Sequence, residues 1–91
     1  MPVRVHLKIS GHVQGVCFRH YCREQAQLHG IRGFVCNNED GSVETVAEGA
    51  ENDVALFVAW CRHGPPFGSV ISCEEMHEKP TGEFNSFTIT Y

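Results

Sequence analysis

The chain has 91 residues, 42% of them apolar, and a formal net charge of −4. That length supports one domain with one core, in which folding buries roughly 60–65% of the unfolded surface, and the apolar content separates it from disordered chains. The acidic balance argues against a nucleic-acid backbone as the main partner, which asks for a basic face, yet a small anion needs only a local positive field such as Arg19, Arg23 and Arg32 can provide.

In chain order, Val3, Val5, Leu7 and Ile9 alternate with Arg4, His6, Lys8 and Ser10, which predicts a strand with one buried face. A glycine-bearing loop, Gly11 to Cys17, follows. Phe18, Cys22 and Ala26 then recur four apart, and Leu28 and His29 precede Gly30, so the run reads as an amphipathic helix with a glycine stop. The next segment, GIRGFVCNNEDGSVETVAEG, holds two β-rich runs around Asp40-Gly41 and predicts a hairpin. Val54, Phe57, Val58 and Cys61 follow the i, i+3, i+4, i+7 rule of a second helix. Glu51 and Asp53 suit its positive end, and Gly64-Pro65-Pro66 ends it. SVISCEEMHEK is a weaker strand candidate, with Glu74, Glu75 and Glu78 read as a solvated face. PTGEF is a turn, and Phe87, Ile89 and Tyr91 share one face of a closing strand.

The order is β-α-β-β-α-β, with room for the last strand region to split in two. Helices alternating with strands around a central hairpin predict an α+β fold: a ferredoxin-like sandwich, an antiparallel sheet with two helices on one face. We expect one domain over residues 1–91, with the more polar strand residues on an open face.

No apolar run approaches the ~20 residues of a membrane helix. The N-terminus alternates and does not form an apolar block, so the expected location is the cytoplasm, with no membrane partner. Cys17, Cys22, Cys36, Cys61 and Cys73 are odd in number and lack a C-x2-C pair, so neither a disulfide framework nor a metal site is expected. Most are read as small buried hydrophobes.

The stretch GHVQGVCFR carries the most chemistry. A loop that feeds a helix exposes unpaired N–H groups at the positive end of the helix dipole. Glycine lets the backbone curl, and an arginine in the first turn adds a planar fork for two oxygens. The pattern points to an anion, phosphate or carboxylate, although a plain strand–helix turn with a solvated Arg19 fits it too. Cys17 and Arg23 also have the C-x5-R spacing of thiol phosphatases. The interval FRHYC contains no glycine and already reads as helix, which disfavours a nucleophilic Cys17.

Two segments together resemble the signatures of the acylphosphatase family. The first, G-x-V-Q-G-V-x-F-R, is matched from Gly11 to Arg19. The second, G-aromatic-V-x-N-x3-G-x-V-x5-G, is matched by Gly33, Phe34, Val35, Asn37, Gly41, Val43 and Gly49. The resemblance spans nearly the whole chain. It implies the same βαββαβ fold and hydrolysis of the carboxyl-phosphate bond of small acyl phosphates, without metal or cofactor. It puts the phosphate-binding arginine at Arg19, the water-positioning asparagine at Asn37, and the cradle at Gln14, Gly15, Val16, Cys17, Phe18 and Arg19. A monomer is expected. The chain departs from the family at Cys36, where a long basic or polar residue is commoner and the rim of the site is expected to change, and at Thr90, where an arginine is often seen.

Two other readings are weighed against this one. Sheets of this type also bind RNA through exposed aromatics, but the chain is acidic and lacks a K/R-G-F-G-F-V-x-F pattern. Related domains also occur fused to larger carbamoyltransferases, and the absence of a zinc-finger segment favours a free-standing enzyme.

Overall fold

The computed structural model describes residues 2–90. Seven elements follow in chain order: β1 (Pro2–His12), α1 (Phe18–Leu28), β2 (Arg32–Asn37), β3 (Val43–Ala50), α2 (Glu51–His63), β4 (Ser69–Glu78) and β5 (Phe87–Ile89). They form one five-stranded sheet in the order β4-β1-β3-β2-β5. The helical connections β1-α1-β2 and β3-α2-β4 each skip one strand. The β2–β3 hairpin therefore slots one of its strands between the two halves.

The helices lie side by side over the sheet, α1 against β2 and β5 and α2 against β1, β3 and β4. Their contact surface is the one the periodicity picked out: Phe18, Cys22 and Ala26 from α1, and Val54, Phe57, Val58 and Cys61 from α2, are all buried. Val5, Leu7, Ile9, Val35, Val43 and Ala47 meet them from the strands. The ring of Phe18 is 5.3 Å from that of Trp60 and ties the helices together, while Phe57 and Phe87 meet edge-on at 5.7 Å and tie α2 to β5. Full burial of side chains of this size contributes about 1.5–3 kcal/mol each. At the end of α2 the Gly64 N–H donates to the Trp60 carbonyl at 2.7 Å. The turn at Asp40-Gly41 also lies where the sequence puts it.

Three expectations change. The sheet is mostly antiparallel, but β5 runs parallel to β2. The reason is the connection from β4, which leaves one edge of the sheet and re-enters at the other, so the last strand cannot pair beside its predecessor. Second, β1 runs on to His12, two residues into the glycine motif, by a register shift against β4 between Ser10 and Gly11. Tyr91, expected to share a face with Phe87 and Ile89, lies outside the described residues.

The third change concerns the face away from the helices, which is open only in part. The 79–86 segment crosses it. Glu48 is only 1% exposed there. It accepts hydrogen bonds from Arg4 at 2.9 Å and from the backbone N–H groups of Thr81 at 3.0 Å and Gly82 at 3.1 Å. Arg4 also pairs with Glu78 and Glu83 and lies over the Phe84 ring, which in turn packs on Phe34. His6 bridges Glu44 and Glu78 at 2.6 and 3.2 Å. Glu75 is on the helix side and pairs with Arg62 at 2.8 Å. Of the three β4 carboxylates read as a solvated face, Glu75 and Glu78 have strand–helix and cross-strand partners on opposite faces, while Glu74 is exposed as expected.

Gly33 explains a fixed residue of the second motif. A Cβ there would stand 1.8 Å from the Val46 carbonyl oxygen of the neighbouring strand, and its φ of +148° suits only glycine.

Candidate active site

The cleft forms where β1 hands the chain to α1. Val13 and Val16 are buried, at 1% and 9% exposed, and pin the loop to the core. Between and after them the backbone takes positive φ at Gly15 (77°) and Cys17 (61°). Val16 and Phe18 do not, so the sign alternates along the loop. Such alternation turns successive N–H groups toward one concave side, a backbone nest for an anion. Glycine adopts this conformation freely, whereas at Cys17, a non-glycine residue, it costs about 1–2 kcal/mol. Cys17 is also the N-cap of α1, and no side chain caps the helix. The first N–H groups of α1 therefore face the cleft mouth without an intrahelical partner.

The second half of the cleft comes from the end of β2. Strand alternation puts Asn37 on the same face as buried Val35, under α1, and exposed at the strand end. Cys36 falls on the opposite face with Phe34, away from the cleft, so the departure there does not alter the rim. Asn38 has turn chemistry: its N–H donates to the Ser42 carbonyl at 2.8 Å and its side-chain amide to the Ser42 hydroxyl at 3.0 Å. The Ser42 hydroxyl and N–H both donate to Asp40, and Lys8 pairs with it at 3.0 Å. These contacts hold the Asp40 carboxyl well below the usual carboxylate range, the Ser42 hydroxyl first among them.

Loop and turn are joined by Gln14. Its side-chain amide donates to the carbonyl oxygens of Asn38 at 2.8 Å and Ser42 at 3.0 Å. A residue of the first motif thereby fixes the turn next to the asparagine of the second.

The result is a cleft of about 460 Å³. Of the residues expected at the site, Gly15, Cys17, Phe18, Arg19 and Asn37 line it. Gln14 and Val16 do not: one spends its side chain on the turn, the other is core. The backbone of Gln14 and Val16 still belongs to the curl. Val13 and Ile89 supply apolar wall, and His20 and Arg23 complete the lining. Arg23 was visible in the sequence as Arg19 plus one helical turn. Ile89 was not, because only the return of β5 beside β2 brings it here. Arg19 is partly buried at the start of α1. His20 pairs with Glu24 at 3.2 Å. Cys17 is exposed whereas Cys22 is buried in the core, so the cysteines flanking His20 point apart.

The site can hold a compact anion by its oxygens through backbone N–H groups and guanidinium forks, with an amide side chain opposite. It has both charge and room. No helix among the described residues is long and apolar enough to cross a membrane.

Comparison with known proteins gives the family. The family model described as Acylphosphatase matches residues 5–89. An acylphosphatase of Syntrophobacter fumaroxidans is 48% identical over 88 residues, covering 97% of this chain and 91% of the relative. One from Geotalea uraniireducens is 42% identical over 91 residues and covers 100% of both chains. The crystal structure of acylphosphatase from Bacillus subtilis superposes with a TM-score of 0.94 at 32% identity, over 98% of this chain and 99% of that one. A family match from β1 to β5 and relatives aligned end to end lead to one conclusion: the chain belongs to the acylphosphatase family, hydrolases that act on acid anhydrides.

Proposed function

We propose that the protein hydrolyses the carboxyl-phosphate bond of small acyl phosphates, giving a carboxylate and inorganic phosphate without a metal ion. The observation that carries this reading is the meeting of Arg19, the Gly15–Cys17 curl and Asn37 in one cleft. In the sequence, eighteen positions separate Arg19 from Asn37.

The chemistry asks for little more. An acyl phosphate is a mixed anhydride, and its leaving group is a weakly basic carboxylate that needs no protonation. The oxygen of water forms a new bond to phosphorus while the bond from phosphorus to the acyl oxygen breaks. The electron pair leaves with the carboxylate, and the proton of the attacking water ends on phosphate or solvent. The transition state is loose, with charge spread over the phosphoryl oxygens. Preorganised donors aimed at those oxygens are the main catalytic requirement. In this reading Arg19 and the amides from Gly15 to Arg19 are those donors. Asn37 cannot take a proton as a strong base, but its side-chain oxygen accepts a hydrogen bond from the water and holds it in line.

The test is phosphate release from benzoyl phosphate, with and without a chelator. The expected result is turnover that the chelator leaves unchanged. Arg19→Ala is expected to lower turnover by about 10²–10³-fold, the scale of losing a main oxyanion donor. Asn37→Ala is expected to lower kcat by a comparable factor while inhibition by inorganic phosphate stays nearly constant. Intact benzoyl phosphate after prolonged incubation with folded protein sinks the proposal.

A further inference from the structure

The reading above gives roles to Arg19, the curl and Asn37, and leaves part of the cleft unused. Arg23 lines it as well. It stands one turn after Arg19 on α1, a spacing that stacks two side chains on one flank with Cβ atoms about 5–6 Å apart. Among the described residues no aspartate or glutamate lines the cleft, although the chain as a whole carries a net charge of −4. Glu24, the neighbouring carboxylate on the helix, is engaged by His20 at 3.2 Å. Among the described residues, Arg23 has no carboxylate partner.

Space points the same way. The cleft of about 460 Å³ is well above what one phosphoryl group occupies, since sites of about 300–1,000 Å³ take ligands of drug size. Val13 and Ile89 give the remainder an apolar wall suited to a short hydrocarbon stem. The planar guanidinium fork of Arg23, in the same lining, matches a carboxylate or phosphate at two oxygens.

We propose that Arg23 is a specificity residue that binds a second anionic group, carried by the acyl part of the substrate, so that acyl phosphates of dicarboxylic or otherwise anionic acids are preferred. The inference rests on the hydrolase reading above. Arg19 and the loop amides take the phosphoryl end. Arg23 reads the far end, and the charge it meets there distinguishes substrates that the phosphoryl subsite treats alike.

The experiment compares kcat/KM for benzoyl phosphate and 4-carboxybenzoyl phosphate, which differ by one carboxylate. At low salt the wild type is expected to favour the carboxylated substrate by about three- to tenfold, the size of one partly solvated charge-assisted contact. High salt should shrink that ratio, because a partly exposed pair is screened. Arg23→Ala should bring the ratio to about one, Arg23→Lys should keep part of it, and Arg23→Glu should invert it. A wild-type ratio of one, or a ratio unchanged in Arg23→Ala, overturns the proposal while leaving the hydrolase reading standing. Release of phosphate from neither substrate defeats the hydrolase reading, and this inference with it.

Discussion

The side-chain amide of Gln14 donates to the carbonyl oxygen of Asn38 at 2.8 Å, and this contact couples the two halves of the cleft. The loop that carries the curl and the strand end that carries Asn37 belong to different parts of the sheet. Gln14 fixes their separation, with a second bond to Ser42 at 3.0 Å.

Gln14 is therefore a positioning residue. Gln14→Ala removes both donors while the Asn38 and Ser42 carbonyl oxygens keep the backbone N–H groups of Gly41 and Asn38, which should cost about 1 kcal/mol in stability. Gln14→Glu is nearly isosteric but aims a carboxylate at two carbonyl oxygens, so it should destabilise more than alanine. Urea denaturation gives the order. Benzoyl phosphate kinetics should show kcat falling in both variants, since the gap between phosphoryl site and water site is no longer held. Full activity in Gln14→Glu would remove the positioning role.

Cys17 tests whether the thiol or the backbone matters at the helix start. The residue is exposed and has φ 61°. Cys17→Gly relieves left-handed strain of about 1–2 kcal/mol, offset in part by the greater freedom of the unfolded chain, and should raise stability by about 0.5–1 kcal/mol. Because a bystander thiol leaves the amides in place, turnover should stay within about threefold of wild type. A collapse of activity with the fold intact would make Cys17 a nucleophile. In native protein a thiol reagent should reach Cys17 well before Cys61, whose thiol burial pushes up and whose neighbour Cys22 raises it further.

How much of this was legible in the sequence depended on the strength of local pattern. Both helices announced themselves because every fourth residue is core, as with Phe18, Cys22 and Ala26. The hairpin did so through Asp40-Gly41. The β4 strand was faint because most of its residues are exposed and its apolar residues do not alternate: Ile71 is 81% and Met76 56% exposed. The parallel pairing of β5 and the path of the 79–86 segment are long-range choices that no local period encodes. At the site, the loop chemistry alone pointed to an anion beside Arg19, whereas Asn37 was visible only through the two long motifs taken together. Gln14 was read as part of the cradle, but its link to Asn38 depends on a turn twenty-four residues away.

Gly33 offers a sharp structural prediction. A Cβ placed 1.8 Å from the Val46 oxygen meets backbone, not a side chain that can swing aside. Gly33→Ala should force β2 away from β3 and cost about 3 kcal/mol or more, at the large end for a single substitution. The denaturation midpoint gives the size of the effect. A stability within 1 kcal/mol of wild type would show that the two strands do not approach as described. By contrast Gly15→Ala meets no atom, so its cost should be limited to conformational strain of about 1–2 kcal/mol.

The last prediction concerns acid. Burial works to raise the Glu48 carboxyl, but hydrogen bonds from the Thr81 N–H, the Arg4 guanidinium and the Gly82 N–H outweigh it and bring it from 4.5 down to about 2. A carboxyl held below its unfolded value stabilises the fold above that unfolded value. The contribution is then lost as pH falls from about 4.5 toward 2. The shift corresponds to about 3 kcal/mol for a group this buried. Wild-type stability should therefore drop steeply across that window. Glu48→Gln keeps the shape but not the charge. It should be less stable than wild type at pH 7 by about 2–3 kcal/mol, because Arg4 loses its most buried partner. Its stability should also fall less between pH 5 and pH 2. Parallel acid profiles for wild type and Glu48→Gln would assign the acid sensitivity elsewhere, with Asp40 the next group to test.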